Sequence, residues 1–375
     1  MKSPVLFVIL QTGPLANGGL QSITEIMRRL AEFRPIVLTN LESAVSRSWR
    51  DLGFDVHVVP EEASAGLRQN PAGVLASYRR YHREVGQILT TSGAAIVHAN
   101  DPLAFQLSLS AAKRAKARIV LNLRDTIDPG RKPPRLKFRM IFGAADHVFY
   151  LSADMADRWH AVAGNATRAS SVTHSIVDPA RFAPSAPSDE RPPVVLVPGL
   201  ISPKKGQLEF IRNVVPALAA REISTWLAGD FDPGANHYAA KCQAAAEPFA
   251  DKVKFLGFRS DMPELLARAS VVAVPSRHEG LMRGMIEAMS VGRPVVSFDV
   301  CSAREMLEQS SPPAGVVIPQ GDYAGMADAL IRFATDRQTQ SAAGQAGSAL
   351  ARVLFNPAQV VERYQRVYRQ LSRHG

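Results

Sequence analysis

The sequence predicts an α/β protein with two open parallel sheets facing across a cleft, and three observations carry that prediction. Short continuous apolar runs alternate with helical stretches along the chain. A proline-rich interruption near the middle splits the alternation in two. The length of 375 residues suits two domains at roughly 100–200 residues each. The apolar runs lie at 5–10, 36–38, 56–59, 95–98, 118–123, 146–151, 194–197, 225–228, 271–274 and 294–298. They lack the polar alternation of a half-exposed strand, so they suit parallel strands buried on both faces. Helical stretches at 20–33, 72–90, 103–115, 206–220 and 262–269 separate them. Strand followed by helix followed by strand is the pattern of a parallel sheet. The interruption runs from Ala183 to Pro193 and holds four prolines without apolar periodicity, so it reads as a linker. This gives a first domain over 1–183, a linker over 184–193 and a second domain from Val194. Open α/β sheets bind ligands beyond the carboxyl ends of their strands, so the expected site lies where those ends face the cleft.

Composition narrows the function classes. No apolar run approaches the ~18–20 residues that cross a bilayer. The run Val5–Leu10 holds six apolar residues and stops at Gln11, too short for the ~7–15 residue core of a secretion signal, so it reads as a buried first strand. Two cysteines, Cys242 and Cys301, are too few for a disulfide framework and fit a reducing compartment. A cytoplasmic location, at the inner face of the membrane, is the expectation. The net charge is +10 and unevenly spread. Residues 1–183 carry 23 Lys and Arg against 15 Asp and Glu, whereas 184–375 carry 21 against 19. A basic first half attracts anions such as phosphorylated substrates or lipid headgroups. Nucleic acid is not expected, because no aromatic-rich basic motif accompanies the charge.

Four segments carry chemistry. The first follows the run 271–274: Pro275-Ser276-Arg277-His278-Glu279-Gly280-Leu281-Met282-Arg283-Gly284-Met285-Ile286-Glu287-Ala288-Met289. A strand, a Glu-Gly turn and a helix start offer backbone N–H groups and a helix dipole to a phosphate. The glycines allow close approach, and a carboxylate can accept from two vicinal sugar or ribose hydroxyls. Glu279 falls in the turn and Glu287 about two turns into the helix. A helix cap and a surface residue are the plainer alternatives. The second segment is Gly199-Leu200-Ile201-Ser202-Pro203-Lys204-Lys205-Gly206, where a lysine before a helix start suits a diphosphate, and a solvated lysine pair is the alternative. It lacks the spacing of a Walker loop. The third, Gly13 to Gly19, is a glycine-rich turn without dinucleotide spacing. The fourth is His98 in Ile96-Val97-His98-Ala99-Asn100-Asp101, at the carboxyl end of a strand, where a structural core histidine is the alternative.

Taken together these motifs resemble the large family 4 of retaining glycosyltransferases, whose GT-B fold has two Rossmann-like domains. The family's paired glutamates, with seven residues between them, match Glu279 and Glu287 within Pro-Ser-x-x-Glu-Gly-Leu…Glu-Ala-Met-x-x-Gly-x-Pro-Val-Val. Lys205-Gly206, Val253 to Phe258, Ser175-Ile176-Val177-Asp178…Phe182, and Ala314-Gly315-Val316-Val317…Gly321-Asp322 match further family elements. Tyr364…Tyr368, within the tail 356–375, resembles the helix that crosses back to the first domain, which leaves 194–355 as the donor domain.

The resemblance implies a sugar taken from a nucleotide diphosphate donor and passed, with retention, to a glycan or lipid-linked acceptor. It implies that Glu287 holds ribose, and that Glu279 holds the sugar and diphosphate with the amides of Gly280, Leu281 and Met282. It implies that Lys205 neutralises the leaving group and that His98 faces the donor sugar. Gly199, Phe258, Gly18 and Gly19 would border the donor. No metal or other cofactor is expected, because fixed cations and amides can stabilise the developing charge.

The family usually has Arg where Leu200 stands, and Arg283 is the expected substitute. It usually has Asn at Ser175, and a His in the acceptor half where this chain has Arg124. Arg131-Lys132-Pro133-Pro134-Arg135-Leu136-Lys137-Phe138-Arg139 interleaves cations with apolar residues, which suits an acceptor or an anionic membrane surface. A non-catalytic nucleotide-sugar binding protein on the same fold is the alternative reading.

Overall fold

A computed structural model describes residues 2–13, 18–66, 69–127, 133–164, 166–231 and 236–373. The chain divides into two compact units, one of Met1–Ile176 with Pro357–Gly375 and one of Val177–Asn356. Each is a parallel sheet flanked by helices.

The first unit holds β1 (Ser3–Ile9), β2 (Phe33–Thr39), β3 (Asp55–Val58), β4 (Ile96–Ala99), β5 (Arg118–Leu123), β6 (His147–Tyr150) and β7 (Ser170–Val172). Their order is β3-β2-β1-β4-β5-β6-β7, every pair parallel. The second unit holds β8 (Val194–Pro198), β9 (Ser224–Ala228), β10 (Val253–Gly257), β11 (Val271–Val274), β12 (Val295–Phe298) and β13 (Gly315–Ile318). Their order is β10-β9-β8-β11-β12-β13, again all parallel. Both are doubly wound sheets. The direction of winding reverses between β1 and β4 in one and between β8 and β11 in the other, which opens a crevice at the strands' carboxyl ends.

Three local differences from the sequence reading have physical causes. The helical stretch 206–220 is two pieces, Gln207–Asn213 and Val215–Ala219, because Pro216 has no N–H to continue the ladder. Strands β7, β10 and β13 fall outside the apolar runs, and all three are edge strands: Ser-Ser-Val in β7 is polar, Lys254 interrupts β10, and β13 opens on Gly315. Gly18 and Gly19 form the first turn of the helix Gly18–Arg29, while positions 14–17 of that turn lie outside the described residues.

The proline-rich segment packs on the second unit throughout its described contacts. Arg293, 1% exposed, donates to Ser185 Oγ (2.7 Å), Ala186 O (2.6 Å), Ala267 O (2.7 Å) and Leu266 O (2.9 Å). Burial lowers its guanidinium pKa to about 10. Glu190 pairs with Arg268 at 2.9 Å further along.

The helix Pro357–Arg373 completes the first unit. Val360, Val361, Tyr364, Val367 and Tyr368 enter the core formed by β1, β2 and the helix Gly18–Arg29. Gln365 Oε1 accepts from the backbone N–H groups of Ala31 (2.8 Å) and Glu32 (3.0 Å). His98 belongs to this core. It is fully buried, 4.7 Å from the Phe7 ring and 5.9 Å from Phe149, and its Nδ1 is 2.7 Å from Tyr368 Oη. The expectation that it faces a donor sugar is corrected: an aromatic wall encloses it. Burial, aided by Arg124, pushes its pKa down to about 3.

Two outcomes follow from these contacts. Gln365→Ala strips two backbone donors of their acceptor and should cost about 1–3 kcal/mol in urea unfolding. The unfolded chain binds a proton near pH 6.5 that native His98 refuses until about pH 3, so stability should fall as pH drops through that window. Against wild type, a His98→Phe, Tyr368→Phe double variant should lose up to ~1.4 kcal/mol per pH unit of that acid slope. An unchanged slope between those pH values would remove His98 as its source.

Candidate functional site

In the second unit the winding reverses between β8 and β11, so the loops that follow them lie side by side. The loop after β8 carries Gly199, Leu200 and Lys205, and the loop after β11 carries Glu279 to Met282. Arg277 donates its backbone N–H to Lys204 O at 2.9 Å, which stitches the two loops together. The contact is closest at Gly206. Its φ is +73°, and a Cβ there would stand 2.2 Å from Pro275 O, so no side chain fits. On the other side Gly284 lets the helix Arg283–Val291 approach the end of β8, where a Cβ would meet Pro198 Cγ at 2.7 Å.

This framework sets up two acid–base pairs. Lys205 Nζ lies 2.6 Å from Glu279 Oε1, with the side chains 21% and 7% exposed. Arg283 Nε lies 2.6 Å from Glu287 Oε1, with 15% and 9% exposed. Glu287 sits just over one turn into its helix rather than two, four residues after Arg283, and so faces it along one side. Burial raises the Glu287 pKa above the usual carboxylate value, opposed by the charges of Arg283 and Arg181.

The surrounding groups shape the space. Met282 gives the helix no side-chain cap. Gly280, Leu281 and Met282 are buried, and Gly280 O accepts from Ser302 Oγ at 2.9 Å. Ser302 adopts φ +71°, a strained conformation for a non-glycine residue. Ser276 Oγ is buried and has no hydrogen-bond partner among the described residues. Gly199 follows β8 and donates its backbone N–H to Ala228 O at 2.8 Å, while Leu200 is 42% exposed. Phe258 is 66% exposed just past β10.

Arg181 is the residue that motif reading passed over. It donates to Ser260 O at 2.8 Å beside Phe258, and its charge is felt at Glu287. It sits one residue before Phe182 in the Asp178…Phe182 element, so its position was visible but its direction was not.

The residues proposed for the first unit do not gather in the same way. Arg124, half-buried at the end of β5, donates to Ser175 Oγ at 3.4 Å. Arg135 and Lys137 are exposed on the helix Arg135–Ala144, and Arg131 and Lys132 lie outside the described residues.

Comparison with known proteins is consistent with this architecture. Residues 192–336 match the family described as Glycosyl transferases group 1. The chain is 31% identical over 133 residues to the lipopolysaccharide core biosynthesis mannosyltransferase LpsB of Rhizobium meliloti, covering 36% of this chain and 38% of that one. It is 26% identical to the phosphatidyl-myo-inositol mannosyltransferase of Mycolicibacterium smegmatis over 87% of this chain and 88% of that one. The chain thus spans less than half of LpsB, and likewise only 47% of the alpha-D-kanosaminyltransferase of Streptomyces kanamyceticus, at 26% identity over 49% of its own length. Anabaena HepE, solved in complex with UDP, superposes with a TM-score of 0.81 at 21% identity, over 99% of this chain and 100% of that one. The second unit thus matches the Glycosyl transferases group 1 family over residues 192–336, and the chain as a whole has the two-domain GT-B fold.

Proposed function

We propose that the chain transfers a sugar from a nucleoside diphosphate sugar to a hydroxyl of a glycan or lipid-linked acceptor, with retention at the anomeric carbon and without a metal. The observation that carries this is the pair of 2.6 Å contacts, Lys205 with Glu279 and Arg283 with Glu287, where the sheet of the second unit reverses. Two cations and two carboxylates at a helix start match the needs of a diphosphate and of sugar hydroxyls.

On this reading Glu287 accepts from the ribose hydroxyls. Glu279 accepts from the donor sugar, and the N–H groups after Gly280 meet the diphosphate. As the glycosidic bond breaks, negative charge grows on the diphosphate oxygen, and Lys205 and Arg283 stabilise it as fixed cations would anywhere in a water-poor site. Arg283 replaces the cation that Leu200 cannot supply. The acceptor hydroxyl attacks the same face that the leaving group quits and passes its proton to a phosphate oxygen. HepE was solved with UDP and with UDP-glucose, which makes uridine the first base to try. The helix Arg135–Ala144 shows Leu136 (73% exposed) and Met140 (67% exposed) four residues apart, on one side. With exposed Arg135, Lys137 and Arg139 nearby, this favours a peripheral contact with an anionic membrane at the cytoplasmic face.

Exposed, apolar Leu200 favours the second reading, a protein that binds a sugar nucleotide without turnover. A thermal-shift panel of UDP, GDP, ADP and CMP tests the shared part. One nucleotide at about 100 times its Kd should add roughly 2.7 kcal/mol. No shift from any of them would overturn the donor site. Lys205→Ala and Arg283→Ala should each weaken that binding about tenfold or more, since a charge-assisted contact contributes ~1.5–3 kcal/mol. An unchanged affinity in Arg283→Ala would rule out its compensating role. Product formation from the matching sugar nucleotide, undiminished by EDTA, separates the enzyme from the binding protein. For the membrane contact, Leu136→Gln with Met140→Gln should reduce sedimentation with phosphatidylglycerol vesicles, and equal sedimentation would exclude the helix.

A further inference from the structure

The first unit carries a second basic feature at the opposite edge of its sheet. A cleft of about 380 Å³ is lined by Lys113, Lys116, Arg118, Asp146 and Arg168 with the apolar Ala117, Ile119 and Ala144. It lies at the amino ends of β5 and β6, whereas the ligand edge of an α/β sheet is the carboxyl one.

Its charge is unbalanced. The one carboxylate, Asp146, is already occupied: it takes Arg118 Nη1 at 3.2 Å and the backbone N–H of Ile119 at 2.8 Å. Lys113, Lys116 and Arg168 have no carboxylate within 4.0 Å among the described residues. The three come from different places, the last turn of the helix Pro102–Arg114, the turn after it, and the approach to β7. A lysine in a last helical turn complements the helix dipole, which accounts for Lys113 alone. It does not account for Arg168, which caps no helix there, nor for cations gathered around a concavity, where like charges repel and the field is focused.

Lys116 adds an independent sign. The helix Pro102–Arg114 ends in a Schellman turn, with Lys116 N donating to Lys113 O (3.1 Å) and Ala117 N to Ala112 O (2.9 Å). The residue at this position has φ +57°, where glycine is favoured. Here a lysine accepts the backbone strain, and it is one of the residues that line the cleft.

We propose that this cleft is a binding site for a phosphate-bearing anion, separate from the donor site, with Arg168 supplying the planar fork and Lys113 and Lys116 the point charges. The anion is either a soluble polyphosphate or the phosphate headgroup of a lipid.

Lys116→Gly makes the test clean, because it removes the charge while relieving the backbone. Its melting temperature should equal or exceed that of wild type, so a loss of binding is not a loss of fold. Titration calorimetry of the full chain with inorganic tripolyphosphate should show a component weakened about tenfold, or ~1.4 kcal/mol, in Lys116→Gly, and further in Lys113→Gln with Arg168→Gln. The same component should persist in Lys205→Ala. The proposal is overturned if the pocket variants bind as wild type does, or if only Lys205→Ala weakens the binding. Phosphatidylcholine vesicles with and without phosphatidic acid identify the source. Binding that depends on phosphatidic acid and falls in Lys116→Gly assigns a lipid headgroup, and vesicle binding indifferent to the substitution, alongside the tripolyphosphate loss, assigns a soluble anion.

Discussion

Everything at the candidate site depends on holding an ammonium and a carboxylate 2.6 Å apart where little water reaches. Glu279 is 7% exposed and Lys205 21%, so each needs the other to offset the cost of leaving water. Neither residue could find its partner along the chain, because 74 positions separate them. The sheet brings them together by placing β8 beside β11, and Gly206 closes the gap by letting its backbone run against Pro275 O. The second pair, Arg283 with Glu287, is local and needs only helix geometry. On the proposed reading a diphosphate competes with the carboxylates for both cations. The site would then be charged before the ligand arrives, yet internally neutralised, which limits the penalty of keeping it empty.

The fold was legible in the sequence because parallel strands buried on both faces announce themselves as apolar runs. All six such runs before the proline-rich segment and all four after it contain strand residues in the structure. What escaped were elements whose signal is weak for a physical reason. Strand β7 is polar because its sheet edge is wet, and the helix Arg135–Ala144 leaves Leu136 and Met140 to solvent, so its apolar pattern does not describe a core face.

The site was legible where chemistry is concentrated in short motifs, as at Glu279, Gly280 and Glu287. It was not legible where a long side chain crosses between loops. Arg181 reaches Ser260 O from a segment that the motif described only by its Asp and Phe. His98 shows the opposite error. A histidine at the carboxyl end of β4 has the position of a ligand-facing residue, but the helix Pro357–Arg373 lays Tyr364 and Tyr368 over it. No strand-level pattern could reveal a lid contributed from 270 positions away.

That same helix makes the first unit discontinuous in the chain. Its core joins Val5, Phe7 and Ile9 to Val360, Tyr364 and Tyr368, whereas the second unit is a single uninterrupted stretch. Domains generally fold as units, the earlier one first as the chain emerges during synthesis. Here the order is constrained to differ. The second unit has all its residues once Asn356 is made, while the first still shows an uncovered aromatic face around Phe7, His98 and Phe149. The part of the molecule that is synthesised first is therefore the part that is finished last, and until then its ring cluster lacks the helix that covers it.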